Sequence, residues 1–377
     1  MGDFIKGADV STLAELEALG AKYYDKGEEK DLLDILISYN FNAVRLKLWN
    51  DPFSETGEPY GAGGNALATT LALARRVRTK GMGLLLNFHY SDFWADPGKQ
   101  NPPKAWRRFS ESRLEQAVYD YTRETLLALK GADALPTMVQ VGNEITNGLL
   151  WPSGRGPAFD AIARYVSAGI RAVREISREA READPSSPGI EVMVHLDSGG
   201  NNPMYREWFD EYVKRGEDFD IMGLSYYPFW HGSLGDLERN MNDMARRYGK
   251  RMNVVETSMG FTMDDYAAYE RLGPGERKGM AAKPELVAKV PFPMTPEGQR
   301  DFMLELMRLI RRIEDGLGEG FFYWEPGWLP LPGSGWATEA ALRYTGEKGP
   351  GGNEWANQAL FDYEGNALPA LEVIRDN

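Results

Sequence analysis

Short apolar runs alternate along this chain with longer stretches in which apolar residues recur every three or four positions. The strand-like runs are FIKGAD (4–9), NAVRLKLW (42–49), MGLLLNFHY (82–90), TMVQVGNE (137–144), IEVMVHLD (190–197), FDIMGLSYY (219–227), MNVVET (252–257) and GFFYWE (320–325). Most are continuously apolar, the pattern of strands covered on both faces. Between them the period changes to that of a helix. In EEKDLLDILISY, Leu32, Ile35, Leu36 and Tyr39 share one face, and PEGQRDFMLELMRLIRRIEDG places Phe302, Leu306, Leu309, Ile310 and Ile313 on one side. NALATTLALARRVRTKG closes on basic residues and Gly81, a helix stop signal. ESRLEQAVYDYTRETLLALKG, AFDAIARYVSAGIRAVREISREA and the tail ALPALEVIRD supply further helices.

Eight strand–helix units without a break in composition predict an α/β fold: a single (β/α)8 TIM barrel over residues 1–377. A doubly wound sheet is the alternative, but it gives no reason for the number eight. The longest irregular stretches, 258–295 and 326–353, follow the seventh and eighth strands. Loops of such length are often functional.

In such a barrel the active site lies at the carboxyl ends of the strands. His89 and His195 end the third and fifth runs, and His231 follows the sixth. Trp49, Trp94, Trp106, Trp151, Trp230, Trp324, Trp328 and Trp336 also fall at strand ends or in the loops that follow, whereas Trp208 and Trp355 do not. Packing alone would spread tryptophans over both ends. Indole faces stack on the C–H faces of sugar rings while the N–H donates to hydroxyls, so the rim reads as a carbohydrate cleft. It also collects Asp9, Asp92, Glu144, Asp197, Glu256 and Glu325. A carboxylate at the end of a buried strand must be hydrogen-bonded or used. For Asp9 and Asp92 a structural role, such as holding Arg45 or capping a helix, stays open.

Composition narrows the partners. A net charge of −13 argues against nucleic acid and anionic membranes, and a neutral substrate is compatible with it. The absence of cysteine excludes disulfides, thiolate metal sites and cysteine nucleophiles. No run of 18 apolar residues is present to span a bilayer. MGDFIKGADV lacks a basic-then-apolar signal segment. The expectation is a cytoplasmic protein, or a secreted one if a signal peptide was trimmed.

Hydrolysis of a glycosidic bond needs an acid for the leaving oxygen and a second carboxylate that attacks the anomeric carbon or activates water. Glu144 and Glu256, ending the fourth and seventh strands, are the expected pair. Asn143 is placed to bond a sugar 2-hydroxyl. A retaining outcome follows if the two carboxyl groups stand about 5–5.5 Å apart. Asn-Glu ending strand four with Glu ending strand seven resembles the retaining glycosidases of clan A. FIKGADVSTL, NAVRLKLWNDP, NFHYSDFWADPGKQNPPKAW, QVGNEITNGLLWP and VVETS together are similar to glycoside hydrolase family 53, the endo-β-1,4-galactanases. This resemblance runs from about residue 4 to the C-terminus.

The resemblance implies acid/base Glu144 and nucleophile Glu256, acting on β-1,4-galactan, type I arabinogalactan and galacto-oligosaccharides. It implies a scissile-bond subsite shaped by Arg45, Asn87, His89, Asn143, His195, Tyr226 and Trp324, with Trp94 and Trp106 as sugar platforms. Asp9, Trp49, Tyr90, Asp92, Asp197 and Trp336 are counted among the substrate-binding residues. No cofactor is expected, and the protein is expected to be a monomer. Some family members carry calcium near the last two loops, but the segment 260–294 has no dense Asp/Asn/Gly calcium loop, so no metal is expected. The lack of cysteine also departs from fungal relatives with disulfides. Three other readings remain: another clan A endo-glycosidase, such as a β-mannanase or cellulase; a sugar-binding barrel without catalysis; and a metal hydrolase using His89, His195 and Asp197. The last lacks the usual His-x-His after the first strand, where this chain has GADVS.

Overall fold

Eight parallel strands close into a barrel in the computed structural model, which describes residues 4–264, 282–348 and 351–377. They are β1 (Ile5–Asp9), β2 (Ala43–Leu48), β3 (Gly83–Phe88), β4 (Met138–Val141), β5 (Glu191–Leu196), β6 (Ile221–Ser225), β7 (Arg251–Thr257) and β8 (Gly318–Trp324). Each pairs with its neighbour in chain order, and β8 closes on β1 with Asp9 beside Trp324. Every strand lies within or against one of the runs read from the sequence. Helices Leu67–Thr79, Glu111–Gly131, Phe159–Ala183, Pro296–Arg311 and Ala370–Asp376 fall where the helical period places them. Asn202–Tyr212 and Leu234–Tyr248, which the periodicity does not single out, complete the alternation after β5 and β6. The start of EEKDLLDILISY departs from the expectation. Glu28–Lys30 pairs antiparallel with Tyr23–Asp25, and the helix begins only at Leu32, where Asp31 accepts from the Asp34 N–H at 3.1 Å.

The two faces of the strands have different chemistry. Outward residues such as Val44, Leu46, Leu86, Val139, Val194 and Leu224 join one large core with the helices. Inward positions begin apolar: Ala43, Leu85, Met138, Met193, Ile221, Val255 and Phe322 form a separate cluster that fills the barrel floor. Side chains two positions further along a strand point the same way, so the next inward layer is Arg45, Asn87, Gln140, His195 and Gly223. The apolar floor therefore carries a polar storey directly above it.

β7 breaks the regular period. Against β6, Gly223 pairs with Asn253 but Ser225 pairs with Glu256; against β8, Phe321 pairs with Val254 but Tyr323 with Thr257. One extra residue is inserted on β7 in both ladders, a bulge of the kind that re-aims side chains beside active sites. It turns Glu256 inward immediately after the inward Val255.

Gly7 lets the floor close. A Cβ there would stand 2.2 Å from the Phe322 ring. Gly7→Ala is expected to force that ring out of place and cost about 1–3 kcal/mol, read as a lower midpoint in urea. An unchanged midpoint would mean that the floor repacks freely.

Candidate active site

Arg45 lies at the centre of the polar storey with no exposed surface. Its Nε donates to Gln140 Oε1 at 3.2 Å, NH1 to Asp9 Oδ2 at 2.8 Å, and NH2 to Asn143 Oδ1 at 2.8 Å and Glu256 Oε1 at 2.7 Å. Two residues along β2, Lys47 reaches Asp9 Oδ1 at 3.2 Å and pairs with Glu325. Asp9 also accepts from the Ser11 N–H and hydroxyl. Burial would raise the Asp9 pKa, but Lys47, Arg45 and Ser11 hold it down at about 2. Glu325 accepts from the Thr12 hydroxyl at 2.5 Å; burial pushes it up to about 7 against the pull of Lys47.

Glu256 meets Arg45 through Oε1 and accepts from the Tyr227 hydroxyl through Oε2 at 3.2 Å. Glu144 faces it from the end of β4 in a different setting. Its Oε1 accepts from Ser225 Oγ at 2.6 Å, and no cation among the described residues is paired with it. Burial first, then the charges of Glu256 and Asp197, push its pKa well above the ordinary carboxylate range. The Glu144 backbone is left-handed, with φ of 48°. With Gly142 at φ of 85° before it, this turn brings consecutive side chains Asn143 and Glu144 into the same cleft.

That cleft has a volume of about 380 Å³. Trp94, Tyr227, Trp324, Trp336 and Trp355 supply its aromatic wall, and Glu144 and Glu256 belong to the same lining. Trp94 and Trp324 stand at 44° to one another, and Trp324 and Trp355 at 65°. The Lys47 ammonium sits 5.1 and 5.0 Å from the Trp94 and Trp324 ring centres. His89 Nδ1 accepts from Trp49 Nε1 and the Ala95 N–H. The ring hydrogen is therefore on Nε2, which has no partner among the described residues and belongs to a cleft residue. Burial, with Arg45 and Lys47 nearby, keeps the His89 pKa well below the usual histidine value.

The family model for glycosyl hydrolase family 53 matches residues 5–374. The chain belongs to glycosyl hydrolase family 53. The endo-beta-1,4-galactanase of Bacillus subtilis (strain 168) is 34% identical, with 99% of this chain and 86% of the relative covered. Among solved structures, the Ignisphaera aggregans GH53 catalytic domain superposes with a TM-score of 0.87 at 38% identity, covering 99% of this chain and 96% of that one. A fungal beta-1,4-galactanase structure gives a TM-score of 0.77 at 29% identity, with both chains covered in full.

Of the site residues expected from the sequence of this family 53 barrel, His89, Trp94, Asn143, Glu144, Glu256, Trp324 and Trp336 line the cleft. Others lie beneath it. Asp9, Arg45, Asn87 and His195 have no exposed surface and act on the lining from below; Asn87 Nδ2, for example, donates to Asn143 Oδ1 at 3.0 Å. Trp49 is also fully buried, packed behind His89, Phe93 and Trp94. Asp197 stands beside Glu144 but outside the cleft lining, bonded by Thr146 and Ser198.

Four residues expected to bind sugar point elsewhere. The Tyr90 hydroxyl bonds Thr122 on the helix Glu111–Gly131. Asp92 is fully buried and clasps two loops through the Asp51 and Lys104 N–H groups. Trp106 packs edge-on against Tyr121 in the large core. Tyr226 stacks on Phe302 and donates to the Gly232 carbonyl, leaving its neighbour Tyr227 to face Glu256. Adjacent residues of an extended chain face opposite ways, so the choice between Tyr226 and Tyr227 depends on a register that sequence alone does not show.

Lys47, Asp96, Lys99, Tyr227, Glu347, Glu354 and Trp355 line the cleft without having been singled out. Lys47 carried a signal: charges at 45 and 47 alternate with Val44, Leu46 and Leu48. Trp355 carried none, since it lies far beyond β8. The expected absence of calcium concerns 260–294, of which 265–281 lie outside the described residues. Among the described residues, no group of three or more His, Cys, Asp and Glu could hold a metal.

Asp9 has its pKa depressed by folding. Its contribution is therefore present above the unfolded value near 4 and is lost as the pH falls through about 2. Asp9→Asn is expected to cost about 3–5 kcal/mol at neutral pH and to flatten the loss of stability between these values, measured by urea unfolding across pH. A second contrast separates wall from core. Trp106→Ala is expected to lower stability by about 3–5 kcal/mol with kcat/KM of the folded enzyme unchanged. Trp355→Ala is expected to weaken saccharide binding by about 1–2 kcal/mol, raising KM. Reversed outcomes would exchange the two roles.

Proposed function

We propose that this family 53 chain is a retaining, endo-acting β-1,4-galactanase that cleaves galactan and type I arabinogalactan by double displacement, with Glu144 as acid/base and Glu256 as nucleophile. The observation that carries this reading is the contrast between two carboxyl groups in one cleft. Glu256 is held in an ion pair with Arg45, whereas Glu144 is desolvated, has no cation partner among the described residues and faces a like charge. Such opposed environments separate the acid from the nucleophile.

In the first step Glu256 attacks the anomeric carbon, the bond to the leaving oxygen breaks, and the Glu144 proton passes to that oxygen. In the second step Glu144 takes a proton from water, whose oxygen displaces Glu256 and restores the β-configuration. Arg45 and the Tyr227 hydroxyl fix the direction of attack. Asn143 Oδ1 is occupied by Arg45, Asn87 and Gln140, and one of its amide hydrogens goes to the Ala95 carbonyl. The other amide hydrogen and His89 Nε2–H are donors for sugar hydroxyls.

Galactan as substrate is supported by the similarity to the Bacillus subtilis endo-beta-1,4-galactanase and by the shape of the aromatic wall. An axial 4-oxygen bends a β-1,4-linked galactan, and platforms at 44° and 65° suit a bent chain better than a flat one.

Glu256→Ala is expected to abolish hydrolysis, with azide restoring turnover of an activated substrate and forming an α-glycosyl azide. Glu144→Ala is expected to lose orders of magnitude on galactan but far less on activated aryl glycosides. Proton NMR of early wild-type products should show the β-anomer first. Initial α-anomer, galactose as the sole first product, or faster cleavage of mannan or cellulose would overturn the reading.

A further inference from the structure

Ser225, the last residue of β6, is fully buried and stands between His195 and Glu144. His195 Nε2 lies 2.8 Å from Ser225 Oγ, which lies 2.6 Å from Glu144 Oε1. The direction of these bonds follows from the far side of the imidazole. His195 Nδ1 faces the backbone N–H of Glu144 at 3.3 Å, and a backbone N–H only donates. Gln140 Nε2, 2.9 Å away, is also a donor, because Gln140 Oε1 accepts from Arg45. Nδ1 is therefore an acceptor and the ring hydrogen is on Nε2. Nε2–H donates to Ser225 Oγ, and the serine hydrogen is left for Glu144 Oε1. Burial and the charge of Arg45 hold the His195 pKa well below the usual histidine value, in keeping with a neutral ring whose Nδ1 accepts from these two donors. The described residues make no hydrogen bond to Glu144 Oε2.

We propose that Ser225 is a positioning residue that selects which oxygen of the catalytic acid carries the proton. Oε1 is already occupied by an incoming hydrogen, so the acidic proton sits on Oε2 and leaves from there to the glycosidic oxygen as the C1–O bond breaks. The donor row from Arg45 through Gln140, His195 and Ser225 thus sets the protonation face of Glu144 as well as its place. This rests on Glu144 being the acid, as proposed above.

The test compares wild type, Ser225→Ala and Glu144→Gln on galactan and on a dinitrophenyl β-galactobioside, whose departure needs little protonation. The charged groups facing Glu144 are Glu256 from β7, Asp197 beyond β5 and Asp96 in the loop after β3; Tyr227 and Tyr205 also stand near it. Both tyrosines are pushed up, and His195 and His231 down, and the Glu144→Gln arm identifies the basic limb of kcat/KM that belongs to Glu144. For Ser225→Ala, kcat/KM on galactan is expected to fall on the order of tenfold, while the aryl substrate stays within about twofold. The basic limb should move to higher pH, because a hydrogen bond to the carboxylate has been removed. A role confined to packing would lower both substrates together, or would admit water and move the limb to lower pH; either result overturns the proposal, as does wild-type behaviour. Should the alanine variant fail to fold, Ser225→Cys keeps the volume with a weaker donor and is expected to shift the limb the same way. Undiminished galactan hydrolysis by Glu144→Gln would overturn the acid assignment itself. Loss of the basic limb in that variant, with Ser225→Ala like wild type, would overturn only the role of Ser225.

Discussion

The arrangement of this cleft depends on one buried guanidinium. Removing Arg45 from water carries a penalty of several kcal/mol, which Asp9 and Glu256 offset with charge and Gln140 and Asn143 with amide oxygens. The planar fork has fixed directions, so these partners are not free to choose their own geometry. Asp9 anchors the cation to β1, Gln140 and Asn143 tie it to β4 and the turn beyond, and Glu256 lies across the barrel on β7. Lys47 repeats the device one storey higher with Asp9 and Glu325. Both cations come from alternate positions of β2, the side of the strand that meets the barrel axis.

A network this rigid can hold unfavourable backbone. Tyr90, Glu144, Ser198 and Glu325 all adopt positive φ just past the ends of β3, β4, β5 and β8. Non-glycine residues in that region cost on the order of 1–3 kcal/mol each. The surrounding bonds hold two of them directly: the Glu144 N–H to His195 Nδ1, and the Glu325 carboxylate to Thr12 and Lys47. The gain is direction. A strand continuing in its ordinary conformation would point Asn143 and Glu144 to opposite faces, and the left-handed turn lets both enter the cleft.

The wall above the carboxylates is assembled from loops that are distant in the barrel order. The segments after β3 and β8 are separated by β1 and β2, yet Trp94 Nε1 donates to the Trp336 carbonyl at 3.0 Å and Lys99 meets Glu347 at 2.5 Å. Trp49 supports the wall from behind through His89. The groove wall is thus an angled surface tied together by contacts between these loops.

The eight strands, most of the helices and the two glutamates could be read from the sequence, because apolar periodicity and a polar residue at the end of an apolar run are local properties. The family resemblance rests on equally local text. Other features depended on closure of the barrel. The inward faces of the strands turn polar above the floor, so runs that read as apolar hold Gln140 and Ser225 in one row with Arg45, Asn87 and His195, which the family resemblance had named. The bulge in β7 turns Glu256 inward next to Val255, although strict alternation would place adjacent side chains on opposite faces. Tyr227 replaces Tyr226 in the cleft, and Trp106, as typical a rim tryptophan by position as Trp94, belongs to the core. Trp355 reaches the site from a segment far beyond β8. Sequence determined which residues stand near the carboxyl ends of the strands. Which of them face the substrate was decided by register, by left-handed turns and by contacts between distant loops, none of which is a property of a residue and its immediate neighbours.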